Sequence, residues 1–399
     1  MSRVGAAAGL PLPLSLVAGL ALWGGLAAAC GGDDGDRSDD DGGDAVDAGL
    51  PDAAPIDVCN PSAGEAVSFD PAAEPCQLLS SYRFFTDGAA QLPNQGVVPY
   101  DLNSPLFSDY ANKHRFVWLP PGESMTYSPD GVFAMPVGSV IIKTFSYLSD
   151  LRDPGAGERL VETRLLVHRA DGWEGHVYLW DEAQTEAELR VAGGRVPVEW
   201  VHTDGEAREL DYVVPNTNQC KSCHEASEVV TPIGIQARHL NRDLDAGGGP
   251  ANQLATLAEI GYLTGAPDPT EAPRAPVWDD PDSGTLDERA RAWLDINCAH
   301  CHSPVGPART SGLDLTIGQT DPARYGVCKA PVAAGSGSGG RLYNIVPGAP
   351  DESILIFRME SVEPDIRMPE LLRQTVHDES LVLLREWIGA MKGECGPPE

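Results

Sequence analysis

The sequence predicts an α+β fold in two parts, an antiparallel β-rich, sandwich-like region first and a mainly helical region after it. Two observations carry this. Between Val67 and Val214 short runs of β-branched and aromatic residues alternate with glycine turns, and past Thr285 apolar residues recur at helical spacing. A Pro/Asp-rich stretch from Pro267 to Ser283 separates the two patterns and reads as a linker.

In the β part, Glu162 to Arg169 and Gly175 to Trp180 flank Asp171-Gly172. Gly193-Gly194 and Asp204-Gly205 then give two more hairpin signals before Leu210 to Val214. Together they predict an antiparallel meander. Val140 to Phe145 and Arg115 to Leu119 add two strands, the second stopped by Pro120-Pro121. The aromatic residues here are read as core, because aromatic rings dominate the packing of β domains.

In the helical part, Leu286, Ala290, Trp293 and Leu294 fall at i, i+4, i+7 and i+8, so one apolar face runs into Cys298. Leu381, Leu384, Trp387, Ile388 and Met391 form a second stripe, and Ser353 to Met359 a third apolar segment. Asn252 to Leu263 reads as one short helix.

Two runs stand apart from this patterning: Cys220-Lys221-Ser222-Cys223-His224 and Cys298-Ala299-His300-Cys301-His302. Cys-x-x-Cys-His is the covalent attachment sequence of c-type haem, in which two thiols add to the porphyrin vinyl groups and the histidine takes one axial position of the iron. Nine Cys and nine His in 399 residues would give such a run about 0.005 times by chance, so two copies carry weight. A four-cysteine zinc site is the competing reading, but 74 residues separate Cys223 from Cys298, against a usual spacing of about 15 to 20. A thioredoxin-like pair needs a single motif in a βαβ setting and no histidine. The reading is therefore two covalent haem groups, held by Cys220, Cys223, Cys298 and Cys301, with His224 and His302 as iron ligands.

The N-terminus reads as an export signal. An uncharged, mostly apolar stretch from Val4 to Ala29 ends in Leu26-Ala27-Ala28-Ala29-Cys30. This resembles a bacterial lipoprotein signal, with residues 1 to 29 removed and Cys30 lipidated. The usual leucine stands three residues before the cysteine, and Leu26 stands four before. Gly31 and Gly32 lack the aspartate associated with inner-membrane retention, so the resemblance implies an outer-membrane lipoprotein facing the periplasm. Residues 30 to 57 carry eight aspartates by Asp47 and almost no large apolar residue, the composition of a solvated tether.

About 340 residues remain, enough for two or three domains. They are read as a β-rich domain over 58 to 215, a first haem segment with linker over 216 to 283, and a second haem domain over 284 to 399. The net charge of −31 excludes nucleic acid as a partner and favours a redox partner with a basic docking surface. In an oxidising compartment Cys59, Cys76, Cys328 and Cys395 are available for disulfides. Three connectivities exist, and neighbourhood favours Cys59 with Cys76 and Cys328 with Cys395.

The segment from about Thr285 to Met391 resembles a class I cytochrome c domain: a helix that delivers the haem motif, a helix packed on it, and a methionine loop between them. Arg367-Met368-Pro369 lies 66 residues after His302, where that family carries its second axial ligand. The resemblance therefore implies His302/Met368 ligation. For the first haem no methionine lies between His224 and Cys298, and the sixth position is left to His239, His202, Met125, Met135 or to no residue. Over its folded length the chain also resembles diheme c-type cytochromes with an N-terminal β-rich region. The matching stretches are Pro105 to Tyr110, Pro136 to Val140, Asn297 to His302 and Cys328 to Gly335. Electron transfer without a catalytic residue is what this implies. A diheme peroxidase-type enzyme, using an open or displaceable position on the first haem, is the alternative.

Overall fold

Strand-forming runs of the N-terminal half assemble into one six-stranded antiparallel sheet. Its strands are β1 (Val97–Pro99), β2 (Asn112–Trp118), β3 (Val140–Leu148), β4 (Glu158–Arg169), β5 (Gly172–Trp180) and β6 (Ala187–Leu189). They lie side by side in chain order, an antiparallel meander that contains only the first of the three predicted turns, at Asp171-Gly172. The computed structural model describes residues 57–61, 64 and 66–397. The signal stretch, Cys30 and nearly all of the tether lie outside the described residues. No helix among the described residues is long and apolar enough to cross a membrane.

Alternation along the strands gives the sheet two apolar faces. On one, Phe116, Trp118, Ile142, Leu165 and Tyr178 pack against Leu79, Tyr82 and Phe84 of the incoming segment, which the Cys59–Cys76 disulfide closes. Tyr178 donates to the Cys76 carbonyl at 2.9 Å, so the buried phenol is satisfied. On the other face, Val117, Ile141 and Leu166 pack against Ile235, Leu240 and Leu254, from the segment that follows the first haem motif. Farther along that face, Phe145, Val161 and Val177 meet Trp200 and Tyr212 of a separate hairpin, β7 (Gly194–Val201) with β8 (Ala207–Val214). The hairpin turns at Asp204-Gly205 as predicted. Gly193-Gly194 does not form one: β6 pairs with β5, β7 pairs with β8, and Gly193 at φ +70° only redirects the chain between two sheets.

The helices follow: α1 (Thr217–His224), α2 (Ala237–Leu240), α3 (Gln253–Glu259), α4 (Leu286–Leu294), α5 (Ile354–Glu360) and α6 (Asp378–Ala390). Helix α3 is shorter than its apolar pattern. It stops at Glu259, and Leu263–Thr264 pairs in parallel with Met125–Thr126. Helix α4 starts on a capping box between Thr285 and Glu288 and packs with α5 and α6 around Trp293, Leu294, Ile356, Leu384 and Ile388. The second disulfide joins Cys328 to Cys395.

The chain is thus a mixed α+β fold, and its described residues form one compact unit. Residues 267 to 283 are held as a strap. The Ser104 hydroxyl donates to the Pro276 carbonyl at 2.9 Å, Asn241 Nδ2 donates to the Pro269 carbonyl at 2.8 Å, and Ala275 is buried. Their prolines shape a fixed crossing rather than a free linker.

Candidate functional site

Helix α1 presents Cys220, Cys223 and His224 at i, i+3 and i+4, on one face. Asn216 accepts from the Gln219 amide at 2.9 Å and Gln219 returns the bond at 3.0 Å, which fixes where the helix begins. The helix lies on β5 at Gly175, where an added Cβ would sit 3.3 Å from Cys220 Cβ. Glycine suits that close approach, since any Cβ would press on the Cys220 side chain. His224 Nδ1 lies 3.0 Å from the Thr231 carbonyl. A carbonyl only accepts, so Nδ1 carries the proton and Nε2 keeps a lone pair. Burial, and then the Lys143 ammonium, push this imidazole down to about 3, so it is neutral at physiological pH.

The second segment is delivered differently. After α4 the backbone widens into a π-type turn over Asp295–Ala299, and the Cys301 and His302 amides then fold back on the Cys298 carbonyl at 3.1 and 2.8 Å. Gly306 closes the turn. A Cβ there would fall on the Cys301 carbonyl. His302 Nδ1 lies 3.0 Å from Ser311 Oγ, and that hydroxyl gives its one proton to the Ala308 carbonyl at 2.7 Å. The hydroxyl can therefore only accept from His302, and Nε2 is again left free. Burial, with Arg358 adding to it, pushes His302 down to about 4. The Cys298 and Cys301 thiols are pushed up to about 12, chiefly by burial. Among the described residues the other four cysteines are disulfide-bonded and these four motif cysteines are free.

The two segments meet. The Ser227 amide, three residues past His224, donates to the Val305 carbonyl, three residues past His302, at 2.8 Å. Beside this junction Cys223 and His224 share one cavity with Asn297 and His300 of the second segment. Its floor is the second face of the sheet, at Lys143, Phe145 and Arg164, and its far wall is Met359, Met368, Arg373 and His377. The cavity is narrow, about 120 Å³, against roughly 300–1,000 Å³ for a cofactor pocket. A porphyrin would be seated only with floor and far wall moved apart, so the fit rests on the donor set: free thiols in pairs and imidazoles with Nε2 available.

Met368 lies on the far wall, with its amide on the Arg358 carbonyl at 2.9 Å. His302 is not among the cavity walls, and Arg358 is the residue that lies near both. None of the four residues considered for the first haem's sixth position lines the cavity. His239 is fully buried with Nε2 3.6 Å from Asp295. His202 lies 3.3 Å from Glu379, and Met125 and Met135 are buried in the core that Val117, Ile141 and Leu166 form on the same face of the sheet.

Several residues of the site were not legible in the sequence. Asp295, buried before the second motif, accepts from Arg238 at 2.8 Å and from the Ile317 amide at 3.0 Å. Burial raises its pKa, but His239 and Arg238 outweigh this and hold it low. The Pro105 to Tyr110 run is a clasp: the Phe107 amide donates to Asn297 at 2.7 Å, and its ring stacks on His377 at 4.1 Å. Asp109 accepts from the Gln374 and Thr375 amides at 3.0 Å. Only the polar residues inside an apolar run gave a signal of this.

No group of three or more His, Cys, Asp or Glu among the described residues is arranged to hold a bare metal ion. Compared with known proteins, the chain matches no family model, no curated protein and no solved structure.

Proposed function

We propose that the protein is an exported diheme c-type cytochrome that transfers electrons. One observation carries this reading: both motif histidines have Nδ1 engaged and Nε2 free, each next to a pair of unpaired thiols, in a chain whose remaining described cysteines are oxidised. Engaging the distal nitrogen is how proteins orient an imidazole toward a metal. A bound haem supplies a reversible one-electron ferric/ferrous couple. The chain holds each imidazole in one tautomer and keeps it neutral. The turn at Ser227–Val305 holds the two segments side by side, which suits relay between them.

In this reading residues 284 to 399 act as a cytochrome c-like domain with His302 and Met368 as axial ligands, Cys30 anchors the chain at the periplasmic side of the envelope, and a protein with a basic surface is the redox partner. Low-temperature electron paramagnetic resonance of the oxidised protein tests it. Two low-spin ferric signals are expected, and a chain with no ferric haem signal overturns it. The peroxidase-type reading draws on the cavity walls, which hold none of the four residues considered for the first iron. It requires a high-spin signal that changes when peroxide is added.

A further inference from the structure

One buried base lies outside the cavity walls, in the joint that carries the second segment. His239 of α2 is fully buried and stands against Asp295, the residue that opens the π-type turn bearing Cys298. Arg238, beside it on α2, already fills one oxygen of that carboxylate, with Nε at 2.9 Å and Nη2 at 2.8 Å from Oδ2, and the Ile317 amide takes Oδ1 at 3.0 Å. The Arg238–Asp295 pair is thus closed on itself, and its two charges cancel. His239 is left over. Its Nε2 is 3.6 Å from Asp295 Oδ2, beyond hydrogen-bond reach, and neither ring nitrogen has a hydrogen-bond partner among the described residues. A carboxylate only accepts, so the one proton of the neutral ring belongs on Nε2, facing Asp295, and Nδ1 keeps a lone pair. Burial lowers this imidazole below its ordinary 6.5; Asp295 opposes that shift and Arg238 adds to it. Asn103, whose amide donates to the His239 carbonyl at 3.0 Å, and Ala275, on the Arg238 carbonyl, bring no charge. Behind burial and Cys301, the Asp295 charge also helps to raise the Cys298 thiol, so the pair and the second motif share one electrostatic field.

We infer that His239, set against Asp295, is a proton-binding site coupled to the second haem: Nδ1 takes one proton from solvent when an electron arrives there from the redox partner, and releases it when the electron leaves. This rests on the diheme reading. One electron and one proton enter together and leave together, and no other bond is made or broken. The electron adds a negative charge to a buried region whose own charges cancel, and an uncompensated buried charge is costly. An imidazolium facing the Asp295 carboxylate offsets it. Asp295 is the poorer acceptor, because His239 and Arg238 hold it ionised against the effect of burial. The test uses the loaded full-length protein, with both reduction potentials followed between about pH 5 and 8. The second haem is assigned as the wave that disappears in Cys298→Ala/Cys301→Ala. Its potential is expected to rise as the pH falls, by up to a tenfold change in the reduction equilibrium per pH unit, about 59 mV for one electron. His239→Gln, which stays polar and does not titrate, is expected to keep two haems and flatten this slope. A second potential independent of pH in the wild type overturns the inference and leaves the diheme reading standing. So does a slope that His239→Gln retains, since the proton then sits elsewhere. If the variant loses its fold or a haem, nuclear magnetic resonance of the wild-type histidine rings decides: one buried imidazole should titrate at higher pH in the reduced than in the oxidised protein, and the absence of such a ring overturns the inference. A chain with no haem overturns both readings.

Discussion

The Ser227 amide and the Val305 carbonyl, 78 residues apart in sequence, share a hydrogen bond of 2.8 Å that ties the turn after one Cys-x-x-Cys-His segment to the turn after the other. Ser227 sits at φ +51° and Glu228 at +68°, so the turn is tight and left-handed. Proline at 227 would remove the donor and cannot adopt that φ. Ser227→Pro is expected to cost more than about 1 kcal/mol in chemical unfolding, while Ser227→Gly, which keeps the amide and accepts positive φ, stays near wild type.

Gly175 lets α1 lie close on β5 at Cys220. Gly175→Val places a Cβ 3.3 Å from Cys220 Cβ and adds two methyl groups beyond it, displacing α1. The expected result is a folded chain by circular dichroism that carries one haem fewer than wild type by pyridine haemochrome assay. An unchanged haem content would show that α1 does not need its observed seat.

Met368→Ala removes the thioether proposed for the second iron. A thioether ligand raises the potential of a haem. Its loss should lower one of the two potentials by at least tenfold in equilibrium, about 59 mV, and leave the other in place. If neither moves, the sulfur ligand is elsewhere, and Met359 on the same wall is next to be replaced.

Stability at acid pH should depend on Glu158. Burial raises its pKa, but hydrogen bonds from His114 at 2.8 Å, from Ser146 and from Asn112 at 2.9 Å outweigh this and hold it at about 2, below its ordinary 4.5. The depressed value means that its contribution is fully present above pH 4.5 and is lost as the pH falls through about 2. Urea unfolding should separate Glu158→Gln from wild type by on the order of 2 kcal/mol at pH 5 to 6, with the gap closing toward pH 2.

The strands and the three C-terminal helices were legible because each carries a strong period and a clear stop, as in Glu162 to Arg169 before Asp171-Gly172 or Leu286 to Leu294 after the Thr285 cap. The two Cys-x-x-Cys-His segments were legible because their spacing is local. What joins these pieces was not. The Gly193-Gly194 pair looks like a hairpin in isolation, and only the pairing of β6 with β5 decides otherwise. Arg115, Lys143 and Arg164 lie opposite one another only through register across three strands, and the Asp295–Arg238 brace exists through a tertiary contact 57 residues long. Local sequence carries no record of either.

Haem content per chain bears most directly on the central claim. The exported wild-type protein should contain two covalently bound haems by pyridine haemochrome against protein mass, and one after Cys220→Ala/Cys223→Ala or after Cys298→Ala/Cys301→Ala. A wild-type chain with one haem or none would contradict it.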